Sequence, residues 1–260
     1  TMYLSEINTY PIKSTHPIAM KAGYLFSTGI GFDRNWMLID ADNTMLTSRK
    51  HPKLLHVFSH VEGANLRVVL PQQDFLLPLV PQPCEPILVK HWGETLVPAW
   101  PQNVALDAAL SDYLGLACRL VYSANLQSQD LIETASFADA QPLLLTTTAS
   151  LASLNERLEE TIGMERFRTN LVVSNLIADV EDRWKRIRIG ACELTVSYPC
   201  KRCVLTTIDP LTLIQHEQQE PLRALAQYRR LDTGGVSFGI NLTVSLAGPI
   251  AIGDTVEVLE

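Results

Sequence analysis

The sequence lacks the features that mark several common classes of protein. No apolar run approaches the ~20 residues of a membrane-spanning helix, and the N-terminus has no basic segment before an apolar core, so neither a membrane span nor a signal peptide is predicted. The five cysteines are odd in number and mostly isolated, unlike a disulfide framework. Glycine-rich nucleotide fingerprints, internal repeats and low-complexity segments are also missing. We therefore expect a protein of a reducing compartment, with the cytoplasm as the default location.

The balance of charge argues against a further class. With 28 acidic and 21 basic residues the net charge is -7, which does not favour general binding of nucleic acid. Hydrophobic residues make up 47% of the chain and charge is moderate, as in a protein with a packed core. The length of 260 residues suits two domains of ordinary size or one large β-rich domain.

Short apolar segments separated by turn residues predict a mainly β protein with a few helices, an α+β fold. Strands are predicted at residues 3–10, 18–26, 36–40, 66–70, 75–80, 87–90, 95–98, 119–122, 171–173, 204–208 and 238–242, and in a hairpin over 184–196. Helices are predicted over 104–114, after Thr146–Thr148 as far as Gly163, and after Pro221. The polar stretch 123–134 predicts a domain boundary or a flexible loop, which gives domains at residues 2–122 and 123–260.

The stretch with the clearest chemical meaning is Cys200-Lys201-Arg202-Cys203. A thiolate is both a nucleophile and a metal ligand, and the cations between the two thiols favour it. A thioredoxin-like CxxC opens a helix, whereas residues 204–208 are mostly β-branched and predict a strand. Structural zinc needs four ligands, but the other cysteines stand alone at Cys84, Cys118 and Cys192. From the motif alone, a chemically active thiol and two small buried hydrophobic side chains are equally open interpretations.

A second basic cluster, Arg166-Phe167-Arg168-Thr169-Asn170, stands at the entry of a predicted strand. Alternate residues of a strand share a face, so Arg166 and Arg168 are predicted to point the same way. Arginine binds phosphate through two parallel hydrogen bonds, so such a fork suits an anionic ligand. Arg34 and Arg49, taken by themselves, predict surface salt bridges.

Six short motifs occur in an order that resembles one family. They are Pro11-Ile12-Lys13-Ser14, Phe32-Asp33-Arg34, the cluster 166–170, the cysteine motif 200–203, Phe238-Gly239 and Gly253-Asp254. Together they resemble the molybdenum-cofactor sulfurase C-terminal (MOSC) domain preceded by its N-terminal β-barrel domain, in the family of YcbX and the mitochondrial amidoxime-reducing component. The resemblance covers nearly the whole chain. It implies an N-terminal β-barrel domain packed on a MOSC β-barrel domain.

The resemblance implies a molybdenum oxidoreductase that acts in detoxification by reducing hydroxylamines, N-hydroxylated purine bases and amidoximes. The implied cofactor is the molybdenum cofactor (Mo-molybdopterin), not pyridoxal phosphate. Its metal would be held by the pterin dithiolene and by Cys203, the implied catalytic residue and metal ligand. The partner implied is a small N-hydroxylated substrate. Because the cysteine spacing of a two-iron cluster is missing, electrons would come from a separate reductase of flavoprotein or ferredoxin type, or else the chain is a piece of a longer protein with a ferredoxin domain.

The resemblance also implies, position by position, a set of residues that contact the cofactor: Lys13, Ser14, Arg34, Asp139, Ala140, Gln141, Arg168, Asn170, Lys201 and Arg202. The cations among them would cradle the phosphate of the pterin in an otherwise acidic protein. Lys201 replaces the usual serine, and Ala140-Gln141 are not the hydroxyl residues of some relatives, so only backbone contacts are expected to persist there.

Several points stay open from the sequence. Asp139 and Asp209 are the candidate proton donors. A cofactor carrier and a sulfur-transfer protein with a persulfide on Cys203 are the alternatives to a reductase, and a non-catalytic scaffold is a third.

Overall fold

The structure is a computed structural model that describes residues 1–127 and 136–260. Strands predominate in these ranges, and three α-helices occur there, which confirms the predicted mainly β fold with a few helices. Of the stretch 123–134 that was predicted as a boundary or loop, residues 128–134 lie outside the described residues. None of the described helices has both the length and the hydrophobicity that crossing a membrane requires.

The strands in chain order are β1 (Met2–Thr9), β2 (Ile18–Met20), β3 (Ala22–Phe26), β4 (Gly29–Ile30), β5 (Trp36–Asp40), β6 (Phe58–Glu62), β7 (Asn65–Val69), β8 (Asp74–Pro78), β9 (Ile87–Lys90), β10 (Leu96–Pro101), β11 (Cys118–Ser123), β12 (Leu143–Thr147), β13 (Leu171–Ser174), β14 (Arg186–Ile189), β15 (Cys192–Lys201), β16 (Ser237–Leu246), β17 (Gly248–Ala251) and β18 (Thr255–Val258). The α-helices are α1 (Val104–Leu114), α2 (Thr148–Asn155) and α3 (Leu222–Tyr228). Short 3-10 helices lie at Pro52–His56, Ala124–Gln127, Met164–Phe167, Val180–Arg183 and Val204–Thr207.

The chain forms two compact units, each assembled from separate parts of the sequence. Unit 1 comprises Thr1–Asn8, Ala19–Gly31 and Ala140–Glu260, and unit 2 comprises Thr9–Ile18 and Phe32–Asp139. Strand β1 groups with the C-terminal half because it pairs with β13 and β18. The domains predicted at residues 2–122 and 123–260 stay a prediction.

Unit 1 contains a closed barrel of seven strands in the order β13-β12-β16-β15-β14-β18-β1, and β1 pairs again with β13 to close it. The β12–β13 pair is parallel and the other pairs are antiparallel. Closure leaves the barrel strands without an open edge. Apolar side chains fill the barrel core, among them Leu4, Leu145, Leu171, Ile187, Leu194 and Leu242.

Unit 2 contains an antiparallel sheet in the order β5-β11-β10-β9 and a three-stranded meander, β6-β7-β8. Helix α1 contributes Leu106 and Leu110 to its main core. The bounds predicted for this helix are confirmed, because both ends have local causes. The Asn103 side chain accepts a hydrogen bond from the Leu106 N–H at 2.9 Å, and Gly115 takes the left-handed conformation that ends a helix.

The prediction that the second helix extends to Gly163 is wrong. Helix α2 begins as predicted at the Thr147 cap, but it ends at Asn155. The Asn155 side chain accepts from the Ile162 N–H at 2.9 Å and donates to the Ile162 carbonyl at 3.0 Å. This amide therefore closes a loop in place of two further helical turns.

The strand predicted at residues 204–208 is also wrong, since Val204–Thr207 form a 3-10 helix. The hydroxyl of Thr206 donates to the Cys203 carbonyl at 2.9 Å, and that of Thr207 donates to the Val204 carbonyl at 2.6 Å. Both bonds reach three residues back and stabilise a turn that the β propensity of threonine does not favour.

Candidate active site

Cys203 lies just beyond the end of β15, a strand of the unit 1 barrel. Its backbone is extended, and its carbonyl accepts both from the Thr206 N–H at 3.1 Å and from the Thr206 hydroxyl at 2.9 Å. The residue is nevertheless exposed, whereas Cys200 is half-buried within β15. The fold thus fixes the backbone of Cys203 and leaves the side chain accessible to a ligand. Because a 3-10 turn and not a strand follows the motif, the predicted strand no longer counts against a pair of redox-active thiols.

Arg202 is held firmly beside the Cys200 thiol. Its Nη1 donates to the Cys200 Sγ at 2.9 Å, and its Nη2 donates to the Phe167 carbonyl at 2.7 Å. The guanidinium lies 5.4 Å from the centre of the Phe167 ring, which stacks on Phe238 at 4.0 Å. The third nitrogen, Nε, is buried with no hydrogen-bond partner among the described residues. A buried donor of this kind favours an acceptor supplied by a ligand.

The predicted fork of Arg166 and Arg168 is wrong. Arg166 belongs to the 3-10 helix Met164–Phe167, and Arg168 follows it with a left-handed backbone at a φ of 52°, so the two do not alternate along a strand. Arg166 instead donates to the Thr206 carbonyl at 3.3 Å and lies 3.8 Å from Asp209. It therefore braces the turn that carries Cys203. Arg168 is half-buried, and its predicted contact with the cofactor stays a prediction.

Asn170 has a structural role that sequence reasoning missed. Its amide donates to the Asn8 carbonyl at 3.1 Å and accepts from the Leu144 N–H at 3.1 Å, so it joins β1 to β12. Lys201 is exposed and its side chain lies over Gly235, where an added Cβ would collide with the Lys201 Cε. Ala140 is exposed and Gln141 half-buried. Their predicted contacts with the cofactor also stay predictions.

In unit 2, Lys13 is almost fully buried, with 4% of its surface exposed. Its ammonium group donates to the Phe137 carbonyl at 2.8 Å and to the carboxylate of Asp139, which is itself largely exposed. It also lies 5.2 Å from the centre of the Trp92 indole. Ser14 follows it with a left-handed backbone at a φ of 69° and is buried. The structure thus brings Lys13 and Asp139 together across 126 residues of sequence.

Arg34 does not form the surface salt bridge expected from the residue alone. It is largely buried, donates to the Asp33 carboxylate at 2.7 Å and lies 4.3 Å above the Tyr10 ring. Burial acts to lower the pKa of Arg34, but the charges of Asp33, Tyr10 and Asp139 raise it above its ordinary value. Arg49 differs again, because its guanidinium lies 5.1 Å from the centre of the Trp92 ring.

Sequence reasoning also missed His91, which lies beside Lys13 in unit 2. Its Nε2 is 3.1 Å from the Phe137 carbonyl, and its ring meets the Phe137 ring edge-on at 5.5 Å. Burial first, and then the charge of Lys13, lower the pKa of His91 to about 4, so the ring is neutral near pH 7. The available signal was a histidine and a tryptophan directly after the predicted strand 87–90.

The chain is similar to known proteins over nearly its whole length. The MOSC N-terminal beta barrel domain matches residues 1–115, and the MOSC domain matches residues 133–257. Mitochondrial amidoxime-reducing component 1 of Mus musculus is 30% identical, over 98% of this chain and 82% of that protein. Mitochondrial amidoxime reducing component 2 of Homo sapiens is 31% identical, over 97% of this chain and 82% of that protein.

The similarity to solved structures is weaker. The YUAD protein from Bacillus subtilis has a TM-score of 0.47 and 11% sequence identity, with 98% of this chain and 94% of that chain covered. YiiM from Geobacillus stearothermophilus has a TM-score of 0.35 and 18% identity over 46% of this chain and 54% of that chain.

Proposed function

Since the chain belongs to the MOSC-domain family with an N-terminal β-barrel domain, which includes the mitochondrial amidoxime-reducing components, we propose that it is a molybdenum-cofactor-dependent reductase of N-hydroxylated compounds. Family membership supports a reductase of N-hydroxylated substrates. The cofactor and the role of Cys203 as its protein ligand are the finer part of the proposal. The observation that carries them is the exposed thiol of Cys203, the residue that directly follows Arg202, whose guanidinium is fixed by the Cys200 thiol and the Phe167 carbonyl.

The residues around Cys203 fit such a cofactor. The described residues contain no group of three or more His, Cys, Asp or Glu side chains that could hold a metal ion. A metal at Cys203 would therefore bring its remaining ligands with it, as a dithiolene does, and a soft thiolate suits that donor set. The buried Nε of Arg202 is a donor that an anionic or carbonyl group of the cofactor would satisfy.

The bound cofactor would supply the two-electron chemistry by which an N-hydroxyl compound, two electrons and two protons give an amine or amidine and water. The chain would bind and orient the reacting groups. The Thr206 hydroxyl donates to the Cys203 carbonyl and so fixes the backbone there. Arg166 in turn donates to the carbonyl of Thr206. Asp209 accepts from the Leu211 N–H at 2.8 Å, while Asp139 pairs with Lys13, so both candidate proton donors already accept hydrogen bonds.

The test compares wild-type protein with Cys203→Ala, produced in a host that makes molybdenum cofactor, for molybdenum and pterin content. Cys84→Ala is the matched control, because Cys84 is also exposed but lies in unit 2, outside the motif. We expect near-stoichiometric molybdenum in wild type and in Cys84→Ala, and its loss in Cys203→Ala together with loss of benzamidoxime reduction by a chemically reduced dye. Molybdenum retained by Cys203→Ala would remove Cys203 as the ligand.

A different outcome would favour the alternative. Pterin without molybdenum, with a mass increase of one sulfur atom on Cys203, would indicate a cofactor carrier or a sulfur-transfer protein. The electron donor and the location are also proposed: a separate reductase of flavoprotein or ferredoxin type, in the cytoplasm. Isolation of tagged protein with its bound reductase, and fractionation of the cells that make it, test these two points.

A further inference from the structure

The backbone of Phe137 connects three elements of unit 2. Its N–H donates to the Arg34 carbonyl at 2.8 Å, and its carbonyl accepts from the Lys13 ammonium at 2.8 Å. The same carbonyl lies 3.1 Å from Nε2 of His91. Asp139, the carboxylate partner of Lys13, follows two residues later. The Phe137 carbonyl is therefore, with the Asp139 carboxylate, one of the two acceptors that hold the Lys13 ammonium.

The side chain of Phe137 anchors this residue in the core of unit 2. Its side chain is 1% exposed and belongs to a core cluster with Met37, Val89 and Val121. The ring also meets His91 edge-on. His91 thus contacts Phe137 twice, once through packing and once through a hydrogen bond.

Here we propose that His91 is a positioning residue for Lys13, acting through the Phe137 carbonyl. The inference rests on the proposed function and on the cofactor contact that the family resemblance implies for Lys13. His91 acts as a neutral donor: its Nε2 carries the hydrogen, because a carbonyl oxygen can only accept. Two charged groups influence its protonation. Lys13 donates to the same Phe137 carbonyl, and Asp139 accepts from Lys13. Burial beside the Lys13 cation keeps the ring uncharged, so that it does not repel Lys13.

Two substitutions separate the hydrogen bond from the packing. His91→Phe keeps an aromatic ring against Phe137 but removes the donor. His91→Gln keeps an N–H donor but removes the ring. If the donor positions Lys13, the glutamine variant resembles wild type more closely than the phenylalanine variant does.

The direct measurement is the rate at which an amine-selective acylating reagent modifies Lys13 in cofactor-free protein, followed by mass spectrometry. Lys53 is the internal control, because it is exposed and belongs to the same unit. We expect His91→Phe to raise the Lys13 rate about fivefold, the change that one hydrogen bond of roughly 1 kcal/mol produces. We expect His91→Gln to stay within about twofold of wild type, and the Lys53 rate to stay constant in all three proteins.

The second measurement is molybdenum and pterin content of the same proteins after production with the cofactor. We expect His91→Phe to retain several-fold less cofactor and His91→Gln to retain most of it. A Lys13 rate unchanged in His91→Phe, or raised equally in both variants, would overturn the inference. Because the acylation rate is measured without cofactor, this failure is distinguishable from failure of the proposed function, which Cys203→Ala tests.

Discussion

Gly239 offers the most direct test of the barrel packing around the cysteine motif. It lies in β16, between Phe238, which stacks on Phe167, and Ile240, which pairs with Leu145 of β12 and Pro199 of β15. Its φ is +79°, in the left-handed region. An added Cβ would lie 2.7 Å from the Leu145 carbonyl oxygen and 2.8 Å from a Thr146 methyl group. Only glycine therefore fits at this place without movement of β12 or β16.

Gly234 is a matched control in the same unit, because it separates backbone strain from the collision. Its φ is +87°, close to that of Gly239, but an added Cβ would meet nothing within 4 Å. Gly234→Ala should lower the free energy of unfolding only by the cost of placing alanine in a left-handed conformation, about 1–2 kcal/mol. Gly239→Ala should lower it by the same amount and by a further amount of about 1–3 kcal/mol, because the added methyl group is forced against the backbone of β12.

The assay is urea unfolding of wild type and both variants, followed by circular dichroism. We expect the free energy of unfolding to fall in both, with Gly239→Ala lower than Gly234→Ala by about 1–3 kcal/mol. All three proteins are unfolded in excess reductant, so that oxidation of Cys203 does not affect the comparison. Equal losses in the two variants would refute the close approach of β12 to Gly239.

Substitutions at two further sites test one local feature in each unit. Asn103→Ala should lower the free energy of unfolding by about 1 kcal/mol because α1 loses its N-cap, whereas Asn103→Asp should keep it, as measured by urea unfolding. Burial, before the charges of Asp182 and Asp179, raises the pKa of Glu181 above its ordinary value of 4.5, although Ser150 donates to its carboxylate at 2.7 Å. As the pH rises, the unfolded chain therefore loses this proton before the folded protein does. From pH 4.5 up to the raised pKa, the free energy of unfolding of wild type should fall relative to that of Glu181→Gln. A difference between the two proteins that does not change with pH would contradict this.

The sequence determined those features whose causes are local. Helix α1 follows from the Asn103 cap, the apolar spacing and Gly115, all within thirteen residues, and its bounds were predicted correctly. The β1 strand and the hairpin of β14 and β15 follow from apolar alternation interrupted by turn residues. The family was identifiable as well, because its short motifs keep their order along the chain whatever the tertiary contacts are.

Tertiary structure decided the features that depend on atoms distant in sequence or on competition between backbone and side chain. The end of α2 and the turn after Cys203 depend on amide and hydroxyl groups that bond to backbone carbonyls, which propensity does not record. The burial of Arg34 depends on Asp33 and Tyr10 together.

The site of Lys13 is the clearest case. Its partners Phe137 and Asp139 lie more than 120 residues further along the chain, and His91 joins them from a third segment. The family resemblance named Lys13 as a candidate, but pattern and propensity describe neighbours in sequence and name neither its burial nor the groups that hold it. Only the folded chain brings those donors and acceptors to one carbonyl, since hydrogen bonds form within about 3 Å whatever the separation in sequence.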